Sequence, residues 1–185
     1  MHKNTTVKQH SLKIALISAI ALGATALSGA ASAANNASAT ATANVVTPIA
    51  ITKSVDLAFG NFYAGASAGT VAVNTNGTRT FTGGALTAIG GATPAAAKFD
   101  VTGTAAMTYA ISYASGVTLT GPGTAMALTQ VSDLTAAGGA SSLVATGTLS
   151  AGGAQSIYIG GTLAVGANQL AGAYTGTITA TVDYN

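Results

Sequence analysis

The side chains able to do acid–base, nucleophilic or metal chemistry are few in this sequence and widely spaced. Beyond residue 33 there are four carboxylates, Asp56, Asp100, Asp133 and Asp183, and three cations, Lys53, Arg79 and Lys98. There is no Cys, Glu or Trp, and His occurs only at positions 2 and 10. Glycoside hydrolysis needs two carboxyl groups flanking one bond, which makes Asp100 with Asp133 the pair to weigh. Asp100 falls on the polar side of an alternating run with Lys98, and Asp133 sits in a Ser-Asp turn. Both therefore read as solvated charges. A Ser–His triad, a thiol site and a His-ligated zinc each lack a required residue. Calcium binding lacks any Asp-x-Asp spacing. No catalytic, cofactor-binding or metal-binding residue is assigned, and the chain is expected not to be an enzyme. Asn36-Ala37-Ser38 and Asn76-Gly77-Thr78 match the glycosylation acceptor pattern, but a hairpin already explains the second.

The inventory begins at residue 34 because the first 33 residues read as a Sec signal peptide. Lys3, Lys8 and Lys13 give a basic start, and residues 14–26 are apolar apart from Ser18, Gly23 and Thr25. Ala31-Ser32-Ala33 then supplies the small-x-small cleavage pattern, placing the cut before Ala34. The apolar run is too short for a membrane span, and no Cys is present for lipid attachment. Export through the periplasm to the cell surface or medium is expected, with no membrane span after processing. Removing 33 of 185 residues leaves 152, a length suited to one domain. Three cations against four carboxylates leave that domain at a net charge of −1. Nucleic-acid binding requires a basic face for phosphates, so it is excluded.

The elements that carry these residues are strands. Residues 172–185 alternate strictly, with Tyr174, Gly176, Ile178, Ala180, Val182 and Tyr184 on one side and Thr or Asp on the other. Period two over β-branched and aromatic residues predicts a long strand with one buried face. The sequence ends within this alternation, which raises the question of what lies along the strand's other edge. Residues 34–46 repeat the pattern in small side chains: Ala37, Ala39, Ala41, Ala43 and Val45 share one parity. Pro48 limits this stretch to an edge or ends it. Ile49, Ile51, Val55, Leu57 and Phe59 continue the parity, and Gly60 and Gly65 bracket Asn61, Phe62 and Tyr63 as a predicted turn. Asn76-Gly77 predicts a hairpin. A loop over residues 76–78 is preferred because it sets Val73 opposite Phe81. Further alternations involve Phe99 and Val101, then Met107, Tyr109, Ile111 and Tyr113. Val117 and Leu119, Met126 and Leu128, Leu143, Ile157 and Ile159, and Leu163 and Val165 follow. Paired glycines, Gly160-Gly161 among them, are read as turns between strands. No stretch beyond residue 33 offers helical spacing with caps. An all-β fold is predicted: an immunoglobulin-like antiparallel β-sandwich over residues 47–185, preceded by an N-terminal strand or extension, residues 34–46.

A family resemblance rests on particular residues. Val46-Thr47-Pro48-Ile49-Ala50-Ile51-Thr52-Lys53, Leu57-Ala58-Phe59-Gly60 and Phe99-Asp100-Val101-Thr102-Gly103 recur in order. Ile159-Gly160-Gly161-Thr162-Leu163-Ala164-Val165, Gly172-Ala173-Tyr174-Thr175-Gly176-Thr177 and Val182-Asp183-Tyr184 complete the set. Together they resemble the exported bacterial family called domain of unknown function 4402. That family is similar to spore coat protein U and to pilins of the archaic chaperone–usher pathway. The resemblance implies an incomplete sandwich on Gram-negative cells, open to completion by a donated strand. It also implies other copies or related subunits as partners, with a periplasmic chaperone and an outer-membrane usher. The donor on this reading is Ala37, Ala39, Ala41, Ala43 and Val45. The assembly strand is Tyr174, Ile178, Ala180, Val182 and Tyr184. Four Ala and one Val make a weak donor, because the gain is about 25 cal/mol per Å² of apolar area. A self-completed monomeric coat or secreted protein is the alternative. The threonine row of the last strand resembles ice-binding ladders, although β-propensity accounts for exposed Thr. A functional amyloid would need repeated segments in register, and none is visible.

Overall fold

Alternation over short β-branched runs becomes twelve strands, every paired set of them antiparallel. The computed structural model describes residues 35–185, so the predicted cleavage residues Ala31, Ala33 and Ala34 lie outside the described residues. The strands are β1 (Ala50–Val55), β2 (Phe62–Tyr63), β3 (Gly69–Val73), β4 (Arg79–Gly83), β5 (Thr87–Ala88) and β6 (Ala97–Thr102). They continue with β7 (Thr108–Tyr113), β8 (Thr118–Leu119), β9 (Met126–Asp133), β10 (Thr146–Thr148), β11 (Ala154–Val165) and β12 (Ala180–Tyr184). No helix occurs among the described residues, and none there is long and apolar enough to cross a membrane. The fold is an all-β antiparallel sandwich.

Strand β11 is the spine. Its first half pairs with β6 and its second half with β3, while β9 takes the opposite edge across the middle. Gly160 and Gly161 sit at this handover, both buried inside the strand. They are not the turn that their pairing suggests in sequence. A Cβ on Gly161 would lie 2.7 Å from both Leu128 Cδ1 and the Thr129 carbonyl oxygen, and one on Gly160 would run into the Val73 carbonyl. Three strands converge on β11 here only because two side chains are missing. A seven-stranded sheet results, with β1 beyond β6, β4 beyond β3 and β8 beyond β9. A three-stranded sheet, β10-β7-β12, faces its first half.

Two apolar clusters form, the first between these layers and the second between the large sheet and the segments that flank it. One joins Phe99, Val101, Ile157 and Ile159 to Tyr109, Ile111 and Val182. The other joins Val71, Val73, Leu163 and Val165 to Phe59, Met126 and Leu128. Leu57 and Ile178 pack against both. Fully burying one Ile, Leu or Val is worth about 1.5–3 kcal/mol. An exposed ion pair such as Lys53–Asp56, with side chains 54% and 77% exposed, is worth about 0–1 kcal/mol. Burial therefore holds the domain together, with no disulfide to assist it.

Three local expectations are corrected. Phe62 and Tyr63 form β2 against β5, because Arg79 gathers this stretch: its Nη1 donates to the carbonyls of Phe59 and Asn61. The hairpin pairs Val73 with Arg79 and Val71 with Phe81, not Val73 with Phe81. Its loop is Thr75-Asn76-Gly77, closed by Asn74 N–H to the Thr78 carbonyl, with Gly77 at φ 81°. The loop still has three residues but starts one position earlier. Thr75 is drawn into the interior, 1% exposed, where its hydroxyl donates to Asp133. Leu143 lies in no strand and is 38% exposed; Leu149, at 2%, fills the core instead.

Candidate functional site

The edges of the two sheets define the site. Among the described residues, strand β1 pairs only with β6, and β12 only with β7, so each leaves one edge without a partner strand there. The two run antiparallel to one another across the domain. The carbonyl of Thr47, before β1, accepts from the Tyr184 hydroxyl at the end of β12, while residues 53–57 face residues 174–178. Between the latter two stretches lies a groove of about 450 Å³. Its floor is apolar: Phe59, Phe99, Leu119 and Leu128 come from the large sheet and its flanks.

Each wall has a local cause. A bulge between Lys53 and Val55 breaks the β1–β6 register. Val55 is left 40% exposed, although its parity matches the buried Phe59. On the opposite wall, Thr175 and Thr120 exchange backbone hydrogen bonds of 2.8 and 2.9 Å, and the Ala114 N–H donates to the Thr179 carbonyl. Among the described residues, none pairs with the backbone of Gly176, Thr177 or Ile178. Tyr174 anchors the start of this wall. Its hydroxyl donates to the Leu170 carbonyl at 2.9 Å and accepts from Gly123 N–H and Gln169 Nε2, each at 2.8 Å. A tyrosine hydroxyl bonded to backbone just upstream is the tyrosine corner of immunoglobulin-like sandwiches.

An apolar floor between two backbone walls with free hydrogen-bonding groups is the shape that takes an extended peptide. Five residues of wall at about 3.3 Å each accommodate a short strand with two or three inward side chains. Of the residues predicted for the assembly strand, Tyr174 and Ile178 line the groove, while Ala180 and Val182 belong to the core and Tyr184 is half-buried at the far end. The residues predicted as donor, Ala37, Ala39, Ala41, Ala43 and Val45, are exposed and in no strand, Val45 at 94%. Leu119, Leu128 and Phe99 carried a core signal in sequence but none that set them beside a free edge.

The carboxylates are occupied elsewhere. Asp100, on the outer face of the large sheet, accepts from Ser54, Ser156 and Lys98, which hold its pKa down at about 2. Burial works against the charge of Asp133, but Thr75 and the amides of Thr135 and Ala136 outweigh it and lower its pKa. The two carboxylates contact different partners and share no site. Among the described residues, no three His, Cys, Asp or Glu side chains come together.

The profile of the family described as Domain of unknown function (DUF4402) matches residues 49–184. The chain belongs to the DUF4402 family. No curated protein and no solved structure matches it. Both walls and the floor of the groove fall within the DUF4402 domain, whereas residues 37–45 precede it.

Proposed function

We propose that this DUF4402 protein is a non-enzymatic, extracellular structural subunit whose groove accepts a β-strand from a neighbouring copy, linking subunits into a surface fibre. The observation that carries this reading is the apolar groove between two edge strands, in a chain whose residues 37–45 alternate in pattern, are exposed and pair with no strand among the described residues. Backbone bonds to both walls supply affinity, and the floor supplies sockets for alternate side chains. Val45 is the strongest anchor the segment offers; Ala37, Ala39, Ala41 and Ala43 fill shallower positions. The resemblance to archaic chaperone–usher pilins points the same way. It adds a periplasmic chaperone that covers the groove before assembly and an outer-membrane usher that guides export.

Continuity of residues 37–45 with β1 favours a second reading, in which the segment folds back and completes its own sandwich as a monomer. Native material from the cell surface, run in detergent without boiling beside a variant lacking residues 37–45, separates the two. A ladder that disappears in the exported variant supports donation between subunits. A compact monomer from native material rejects it.

A further inference from the structure

We infer that Thr47, Thr104 and Tyr184 form a latch that fixes the chain just before β1 and so penalises insertion of the N-terminal segment into its own groove, making Thr104 and Tyr184 positioning residues for assembly. The inference rests on the strand-accepting reading of the groove. Both backbone polar groups of Thr47 are held by side chains distant in sequence. Its N–H donates to Thr104 Oγ1 at 2.7 Å, and its carbonyl accepts from the Tyr184 hydroxyl at 2.9 Å. The same hydroxyl accepts from the Thr104 N–H at 2.7 Å, closing the triangle. Room for it comes from Gly103, where a Cβ would run into the Tyr184 hydroxyl.

Position gives the latch its effect. It grips the chain just before β1, whose first residue Ala50 pairs with Thr102, whereas the groove walls begin at Lys53. Pro48 adds to it: a residue before proline is confined to extended backbone, so Thr47 cannot make a tight reversal there. To reach its own groove, the segment must turn back along the free edge of β1. With Thr47 pinned, the turn has to fall within residues 44–46, which removes Val45 from the inserted strand. Only alanines then remain to face Phe99, Leu119 and Leu128. Donated to a second copy, the same segment keeps Val45 as its anchor. The latch thus penalises self-completion without touching the groove.

The test uses the mature protein and two variants, Tyr184→Phe and Thr104→Val, with Thr104→Ser as rescue. Multimer and monomer are quantified in unboiled detergent. In parallel, a synthetic peptide of residues 37–46 is titrated onto protein lacking that segment, with and without Thr104→Val. Loss of the latch should raise the monomer-to-multimer ratio roughly tenfold, the scale of one or two lost hydrogen bonds. Thr104→Ser should restore the ladder, and peptide affinity should not change. A ladder unchanged in both variants overturns the latch while leaving the groove reading intact. Failure of the truncated parent to bind the peptide overturns the groove reading itself, and the latch with it. Thr104→Val leaves the Tyr184 ring in place, so the test survives a folding defect in Tyr184→Phe.

Discussion

The two halves of the last alternating run share one sequence pattern and meet different fates. In residues 180–184 the inward Ala180 and Val182 are buried, and the backbone pairs residue by residue with β7. In residues 174–178 the inward Tyr174 and Ile178 are only half-buried, and the backbone of residues 176–178 pairs with nothing among the described residues. The difference does not lie in propensity, since Thr, Ile and Val serve both halves. It lies in what stands opposite. Strand β7 ends at Tyr113, and beyond it the backbone of the run is met by one bond from Ala114 and an isolated two-bond bridge with Thr120. One half is paired along its length, while the other keeps backbone groups without a partner among the described residues.

The sharpest way to break this comparison is a charge in each half. Val182→Asp places an unpaired carboxylate in a core position that is 7% exposed, and should cost more than about 4 kcal/mol. A domain of ordinary stability then has little margin left, and exported protein should be lost or protease-sensitive. Ile178→Asp should do the reverse: about 1 kcal/mol of monomer stability, measured by denaturant unfolding, with the multimer ladder abolished. Equal loss of stability in both variants would remove the distinction between the halves.

Two smaller effects test whether instability alone mimics failed assembly. Asp133→Ala frees Thr75 and the amides of Thr135, Ala136 and Ala137. It should cost about 1–3 kcal/mol while leaving the ladder in place, because these groups lie away from the groove. Asp100 gives the mildest perturbation. Its folded pKa of about 2 lies below the ordinary 3.8, so its stabilising contribution is present above pH 4 and is lost as pH falls towards 2. Asp100→Asn should flatten the fall in melting temperature over that window, with no change in multimer content at neutral pH.

Much of the fold was legible residue by residue. The parity of Phe99 and Val101, of Tyr109 and Ile111, and of Ile157 and Ile159 matches their burial, because a strand's side chains must alternate. Register was less legible. Asn76-Gly77 announces a hairpin, but its loop begins at Thr75 because a carboxylate 58 residues away accepts the Thr75 hydroxyl. Gly160-Gly161 reads as a turn, yet it is a crossing point whose requirement for missing side chains comes from Val73 and Thr129. Of the candidate site, the C-terminal wall was visible as an alternating run. The opposite wall and the floor were not, because nothing local marks Val55, Leu57 or Leu119 as neighbours of an unpaired edge.

By itself the sequence determined the inward face of most strands, that the fold is all-β, and that few side chains suited to catalytic chemistry are present. These are consequences of side-chain type and of a backbone period of two. Only the tertiary structure decided which strands stand at the edges, where the two sheets fail to meet, and that Thr47 is held by Tyr184. Those outcomes depend on pairings between residues up to 137 positions apart. Period two fixes the face of a side chain but carries no information about which strand will lie beside it.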